Sequence, residues 1–264
     1  MINETLDLDI NSNSSSSLDS IGISRHKTIT LYCHDCGQVK VVKLKCSDRT
    51  CQECRDRTYW KLFKGWFKLA ENMSNPKLLT LTMKNKPDLK REYIKTLRAQ
   101  FTKLLHRKYY KERIIGGLYV IELKNAGNGW NIHLHALIDT KPEFEGFLLQ
   151  ERLSKDWLAI TKESMIVDIR KAYNPRASLK YILKYLTKPP QINGEIEVYN
   201  AALKKTRLIQ TFGDLYRSKA EKIRMICKDC GCSTWIVEYE IIKLSRQFNK
   251  GKIHNIKSYN NDFG

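Results

Sequence analysis

The chain has 264 residues, a formal charge of +19 and an isoelectric point near 9.5, so it can hold one sizeable core and favours a polyanionic partner, usually nucleic acid. No apolar run reaches the roughly 18 residues that span a membrane, which excludes a helical membrane protein. The N-terminus has neither the basic start nor the apolar core of a secretory signal, and a cytoplasmic protein is expected.

Residues 1–24 form a Ser/Asn/Asp tract with Glu4, Asp7, Asp9 and Asp19 and no basic residue, expected to be a disordered leader. A cysteine-rich segment over 25–60 follows, with Cys33 and Cys36, then Cys46, then Cys51 and Cys54. A far repeat, Cys227-x-x-Cys230-Gly-Cys232, lies in a basic C-terminal extension expected over 191–264. Cysteines mostly in Cys-x-x-Cys pairs of a cytoplasmic protein are metal ligands, not disulfides, and tetrahedral Zn²⁺ suits paired thiolate knuckles. Two arrangements are open. Cys33 and Cys36 pair with Cys51 and Cys54, with Cys46 surplus or replacing one of them. Alternatively they pair with Cys227 and Cys230, and Cys46, Cys51 and Cys54 take a further ligand such as Cys232 or His34.

Helical spacing of Tyr59, Phe63, Trp66, Phe67 and Ala70 predicts a helix from Asp56 to about Met73. Leu78–Lys84 alternates as a half-buried strand. A long basic helix is expected from Asp88 to about Lys111, with Ile94, Leu97, Phe101, Leu104 and Leu105 as its stripe. A strand over Leu118–Lys124, a turn at Asn125–Gly129 and a second strand over Trp130–Asp139 come next. Then come a helix from Phe144 to about Ile160, a strand over Met165–Arg170, and a helix with Asn174 as N-cap, Pro175 in its first turn and Pro189-Pro190 after it. A short β-rich piece is expected around Trp235–Leu244. From Leu78 the order is β-α-β-β-α-β plus a helix, which predicts an α+β, ferredoxin-like (split βαβ) antiparallel sheet. Helices cover one face and leave the other for a ligand. This unit is expected over 61–190.

On the strand at 130–139, Trp130, Ile132, Leu134, Ala136 and Ile138 share one face, and His133 and His135 share the other. A turn centred between Gly127 and Asn128 sets Glu122 opposite His133 and brings one carboxylate and two imidazoles to one face. Such mixed O/N donors suit Mn²⁺ or Mg²⁺ bound to a phosphate. On the last helix Leu179, Ile182, Leu183 and Leu186 form a core stripe. Tyr181 and Tyr185 lie on the other side, one turn or about 6 Å apart, flanked by Lys184 and Lys188.

His133-Leu-His135 on a strand, followed by Tyr181-Ile-Leu-Lys184-Tyr185, resembles the HUH endonuclease superfamily. It looks most like the two-tyrosine rolling-circle replication initiators of plasmids and viruses, and like related transposases and mobilisation relaxases. Leu78-Leu-Thr80-Leu-Thr82 resembles the family's first motif. Cys46-x4-Cys51-x2-Cys54 resembles the cysteine-rich segment ahead of it, with Gln52-Glu53 where a proline is usual. The resemblance implies site-specific nicking and joining of single-stranded DNA at an origin. Tyr181 or Tyr185 would be the nucleophile, giving a 5′-phosphotyrosyl intermediate, with Lys184 assisting and the metal at Glu122, His133 and His135. No Gly-x-x-x-x-Gly-Lys-Ser/Thr loop occurs, so a host or viral helicase and polymerase would act as partners. A zinc-ribbon DNA-binding regulator is the non-enzyme alternative.

Overall fold

The computed structural model describes residues 26–238 apart from 47, 143–147, 188–191, 193 and 223. The expected leader over 1–24, the first turn of the helix expected from Phe144, Lys188, the Pro189-Pro190 stop and the part of the β-rich piece beyond residue 238 lie outside the described residues. In chain order the elements are β1 (Thr28–Cys33), β2 (Val39–Lys43), α1 (Gln52–Glu71), β3 (Pro76–Thr82), α2 (Arg91–His106), α3 (Lys108–Arg113) and β4 (Ile114–Asn125). They continue with β5 (Trp130–Thr140), α4 (Gln150–Thr161), β6 (Val167–Lys171), α5 (Pro175–Thr187), α6 (Ile196–Leu203), β7 (Ile209–Gly213) and β8 (Trp235–Val237).

The main sheet is antiparallel in the order β6-β3-β5-β4-β7. Its first four strands have the split βαβ order, as the sequence predicts. β7 adds a fifth at the outer edge of β4. That strand went unanticipated because Ile-Gln-Thr-Phe-Gly is short and carries no clear alternation. The register of β4 on β5 sets Glu122 opposite His133, Ile121 opposite Leu134 and Leu123 opposite Ile132. The turn that fixes it closes with the Gly127 amide donating to Asn125 Oδ1 at 2.8 Å, and Gly127 sits at φ 103°. That backbone geometry favours glycine.

One face of the sheet packs on α2 and α4. Ile132, Leu134 and Ala136 of β5 meet Leu79 and Leu81 of β3, Ile121 of β4, Leu97 and Phe101 of α2 and the fully buried Trp157 of α4. The basic helix expected to run from Asp88 to Lys111 breaks at Arg107, whose backbone turns extended between α2 and α3. There Arg107 pairs with Asp156 of α4, and Tyr110 donates to the same carboxylate at 2.8 Å. Continuing the helix would forfeit both contacts.

The other face is not left bare, which corrects the expectation of helices on one side only. Leu118, Val120 and Leu137 are apolar on that face. α5 covers them with Leu179, Ile182 and Leu183, and α1 completes the layer with Phe63, Trp66 and Ala70, followed by Met73 just beyond its end. The cap of α5 is as expected, with the Ala177 amide donating to Asn174 Oδ1 at 2.9 Å. A smaller sheet, β2-β1-β8, lies in the N- and C-terminal segments and has its own core of Leu31, Trp235 and Val237. Among the described residues no helix is long and apolar enough to cross a membrane.

Trp157 ties α4 to β3, because its indole Nε1–H donates to the carbonyl of Thr82, the last residue of that strand, at 2.9 Å. Trp157→Ala is expected to lower unfolding free energy by about 3–5 kcal/mol in chemical denaturation, since it opens a core cavity and orphans that carbonyl. A loss under about 1 kcal/mol would show that α4 does not brace β3.

Candidate functional site

The polar face of β5 is built by cross-strand pairing. β3 sets Thr80 opposite His135 and Thr82 opposite His133. Each threonine Oγ1 lies 3.1 Å from Nδ1 of its histidine. Fixing Nδ1 in this way orients both rings and leaves Nε2 as the ligand atom, as outer-shell partners of metal-bound histidines do. His135 Nε2 is 3.0 Å from Glu122 Oε2, and both side chains are buried. A buried carboxylate and imidazole at this distance satisfy one another.

α5 closes the site from above. The Tyr185 ring stacks on His135 with centroids 3.8 Å apart and planes 5° from parallel. The Tyr185 hydroxyl donates to the Tyr181 oxygen at 2.7 Å. Arg170 of β6, paired with Asp168 at 3.0 Å, donates to the same Tyr181 oxygen at 3.3 Å. Lys184 Nζ stands 4.1 Å from the Tyr181 ring centroid and 5.2 Å from that of Tyr185. Burial pushes the Tyr185 phenol well above its usual range, and its bond to Tyr181 and the nearby Glu122 carboxylate push the same way against Arg170. Tyr185 is therefore a neutral donor and Tyr181 an acceptor from two groups.

The structure thus brings Glu122, His133, His135, Tyr181, Lys184 and Tyr185 to one place. The sequence reading placed Thr80 and Thr82 in a motif without a site role and missed Asp168 and Arg170. Their signal was the strand alternation itself. Once β3 is registered on β5 and β6 on β3, Thr80 faces His135 on one side and Asp168 on the other.

The cysteines form two groups. Cys33, Cys36, Cys227 and Cys230 make one, and Cys46, Cys51, Cys54 and His26 the other; in each, the ligand atoms all lie within 4.8 Å of one another. Among the described residues these are the groups gathered that tightly, and the Glu122–His133–His135 set is more open. The first group is the second of the two pairings the sequence left open. Its two halves match: Gly37 and Gly231 sit at φ 73° and 74°, each donating its amide at 3.0 Å to the carbonyl four residues back, from Cys33 and Cys227.

In the second group the fourth donor is His26, not Cys232 or His34. Its Nε2 lies 3.1 Å from Cys54 Sγ and 3.3 Å from Cys51 Sγ, while its Nδ1 meets Glu53 at 3.3 Å. No spacing rule pointed to His26, which stands alone at the edge of the leader. Cys232 lies outside both groups, where its Sγ accepts from the Thr234 amide at 3.2 Å, and His34 pairs with Asp35 at 2.7 Å.

Each group holds one thiol poised toward thiolate, the form that binds metal. The Cys36 amide is the main cause of lowering Cys33 to about 6, with burial opposing it. For Cys54 burial opposes the shift, but the Cys46 amide, His26 and neighbouring thiols outweigh it and leave the thiol at about 7. Cys₄ and Cys₃His donor sets at these distances fit a tetrahedral ion with no change of fold.

Fold and site together define an α+β protein with two cysteine-based groups that could each hold a metal ion and a sheet face on which histidines, a glutamate and paired tyrosines meet. The family described as replication protein matches residues 41–229, nearly three quarters of the chain. The chain belongs to that family, whose role is initiation of rolling-circle replication, and DNA is its partner. Among curated proteins and among solved structures, none matches.

Metal analysis of the purified protein is expected to give two tightly held ions per chain. Cys227→Ser or His26→Ala should each leave one, and Cys232→Ser should leave two. A drop with Cys232→Ser would contradict the ligand sets.

Proposed function

We propose that this replication protein is a metal-dependent nuclease and strand transferase. It would nick single-stranded DNA at an origin and rejoin it through a 5′-phosphotyrosyl intermediate. The observation that carries the reading is the contact of Tyr185 with His135, which joins the tyrosine helix to the histidine–glutamate face. Glu122 and the Nε2 atoms of His133 and His135 would hold Mn²⁺ or Mg²⁺, with the ion replacing the direct His135–Glu122 contact. Such an ion, when bound, polarises the scissile phosphate and offsets its charge. Zn²⁺ in the two cysteine clusters would be structural.

Tyr181 is assigned the first attack. Two donors, Tyr185 and Arg170, aim at its oxygen and stabilise negative charge there, and Lys184 adds a second positive group nearby. Its oxygen forms the bond to phosphorus as the bond to the 3′ oxygen breaks. The phenol proton is lost, and the leaving oxygen takes a proton from solvent, giving a free 3′-OH. Esterification of Tyr181 removes the acceptor that holds the Tyr185 proton. Tyr185 is then available for a second cleavage one helical turn away, and the new 3′-OH it releases attacks the first phosphotyrosine, joining the strand and freeing Tyr181. The phosphotyrosine conserves the bond energy, so joining needs no ATP. Unwinding and synthesis would come from a separate helicase and polymerase.

The test is incubation with origin single strands and Mn²⁺, scoring protein attached to a 5′ end. Tyr181→Phe is expected to lose the first nick by at least about 10³-fold. Tyr185→Phe should still make the first nick but fail at the second cleavage, and Arg170→Ala should slow nicking by about 10- to 100-fold, one charged hydrogen bond's worth. No adduct across an origin library would defeat the nuclease reading, and a nicking-dead Tyr185→Phe with an active Tyr181→Phe would reverse the order of the tyrosines.

A further inference from the structure

One surface of the molecule pairs aromatic rings with cations and leads to the tyrosines. On α5, Arg176, Lys180 and Lys184 recur every four residues, about 6 Å of rise apart, and the helix sequence contains no acidic residue. Arg176 and Lys180 lie over the Phe63 ring of α1, at 6.0 and 5.4 Å from its centroid. Phe63 is buried, but the ring against its edge is not: Trp60, at a centroid distance of 6.0 Å and 85° to Phe63, is 50% exposed. An indole held half in solvent by ring contacts with Tyr59 and Phe63 gains little from its exposed half in the free protein. The row continues to Lys184, which already touches both tyrosine rings.

From this geometry we infer that the seam between α1 and α5 is the guide for the single strand. Arg176 and Lys180 hold successive phosphates, and the exposed face of Trp60 stacks a base before the chain reaches Tyr181. A cationic row beside an exposed aromatic plane fits a flexible strand with unstacked bases. A duplex offers its phosphates but keeps its base faces covered. The assignment of the occupant rests on the nicking reading, whereas the surface itself is defined by residues outside the proposed catalytic set.

The probe is fluorescein-labelled oligodeoxythymidine, bound to the full-length protein without added divalent metal so that no cleavage intervenes. Trp60→Ala is expected to weaken binding about 5- to 100-fold, the range of one stacked base, and Trp60→Phe to recover most of it. Lys180→Ala should lower the slope of log affinity against log salt by about 0.7, one phosphate contact on a single strand. Unchanged melting temperatures for the Trp60 and Lys180 variants confirm that folding is intact. Wild-type affinity and salt slope in both alanine variants would overturn the inference even if nicking is observed. Losses on duplex DNA equal to those on the single strand would also overturn it. The expected losses in a protein that never forms an adduct would uphold the guide and defeat the nuclease reading instead.

Discussion

Everything at the polar face depends on the register of one hairpin. Glu122 stands opposite His133 because the tight turn at Gly127 closes β4 onto β5 at a single offset. A slip of one residue would send His133 and His135 into the layer of Trp157 and Phe101 and bring Ile132 and Leu134 out. That alternative places imidazoles in an apolar core and is strongly disfavoured. The hydrophobic demand on one face therefore holds the chemical groups in place on the other. Neighbouring strands extend the same lock, since Thr80 and Thr82 can reach the histidine Nδ1 atoms only in the paired register of β3.

The sheet would carry these groups without α5, but it would not organise them. α5 is held by Leu179, Ile182 and Leu183 against Leu118, Val120 and Leu137, with α1 behind it. That packing presses Tyr185 onto His135. α1 in turn begins at the Cys₃His cluster, where Cys51 caps the helix and Cys54 lies in its first turn. The cluster at Cys33, Cys36, Cys227 and Cys230 ties β1 to a segment almost two hundred residues later. A metal held there would close so long a loop that it removes much chain entropy from the unfolded state. The Cys₃His group stands at the start of the helix against which the tyrosine helix packs, at a distance from the tyrosines themselves.

Much of this was legible in the sequence where a period or a turn rule applied. The alternation of β5, the turn-centred register and the stripe of α5 all follow from local chemistry, and they assembled the histidines, Glu122 and the tyrosines on paper. What could not be read is non-local. Nothing in the spacing around His26 marks it as a partner of Cys51 and Cys54. Arg170 looked like an ordinary strand end until β6 was set beside β3, where it reaches Tyr181. The covering of the second face had a sign in Leu118, Val120 and Leu137, apolar residues on the supposedly open side, but their partners lie on helices distant in the chain. The break at Arg107 came from a tertiary contact, Asp156 on α4, which outweighs the helical propensity of the segment.

In the proposed reaction the polar sheet face beneath α5 would hold one divalent metal through Glu122, His133 and His135. The most direct measurement is titration of Mn²⁺ into the full-length protein, with its cysteine clusters loaded with Zn²⁺, while the electron paramagnetic resonance signal of the free ion is recorded. One equivalent of Mn²⁺ per chain is expected to lose its free-ion signal, whereas the His133→Ala, His135→Ala double variant, folded and still holding its zinc, should leave that signal undiminished. Equal uptake of Mn²⁺ by the two proteins would contradict this metal assignment.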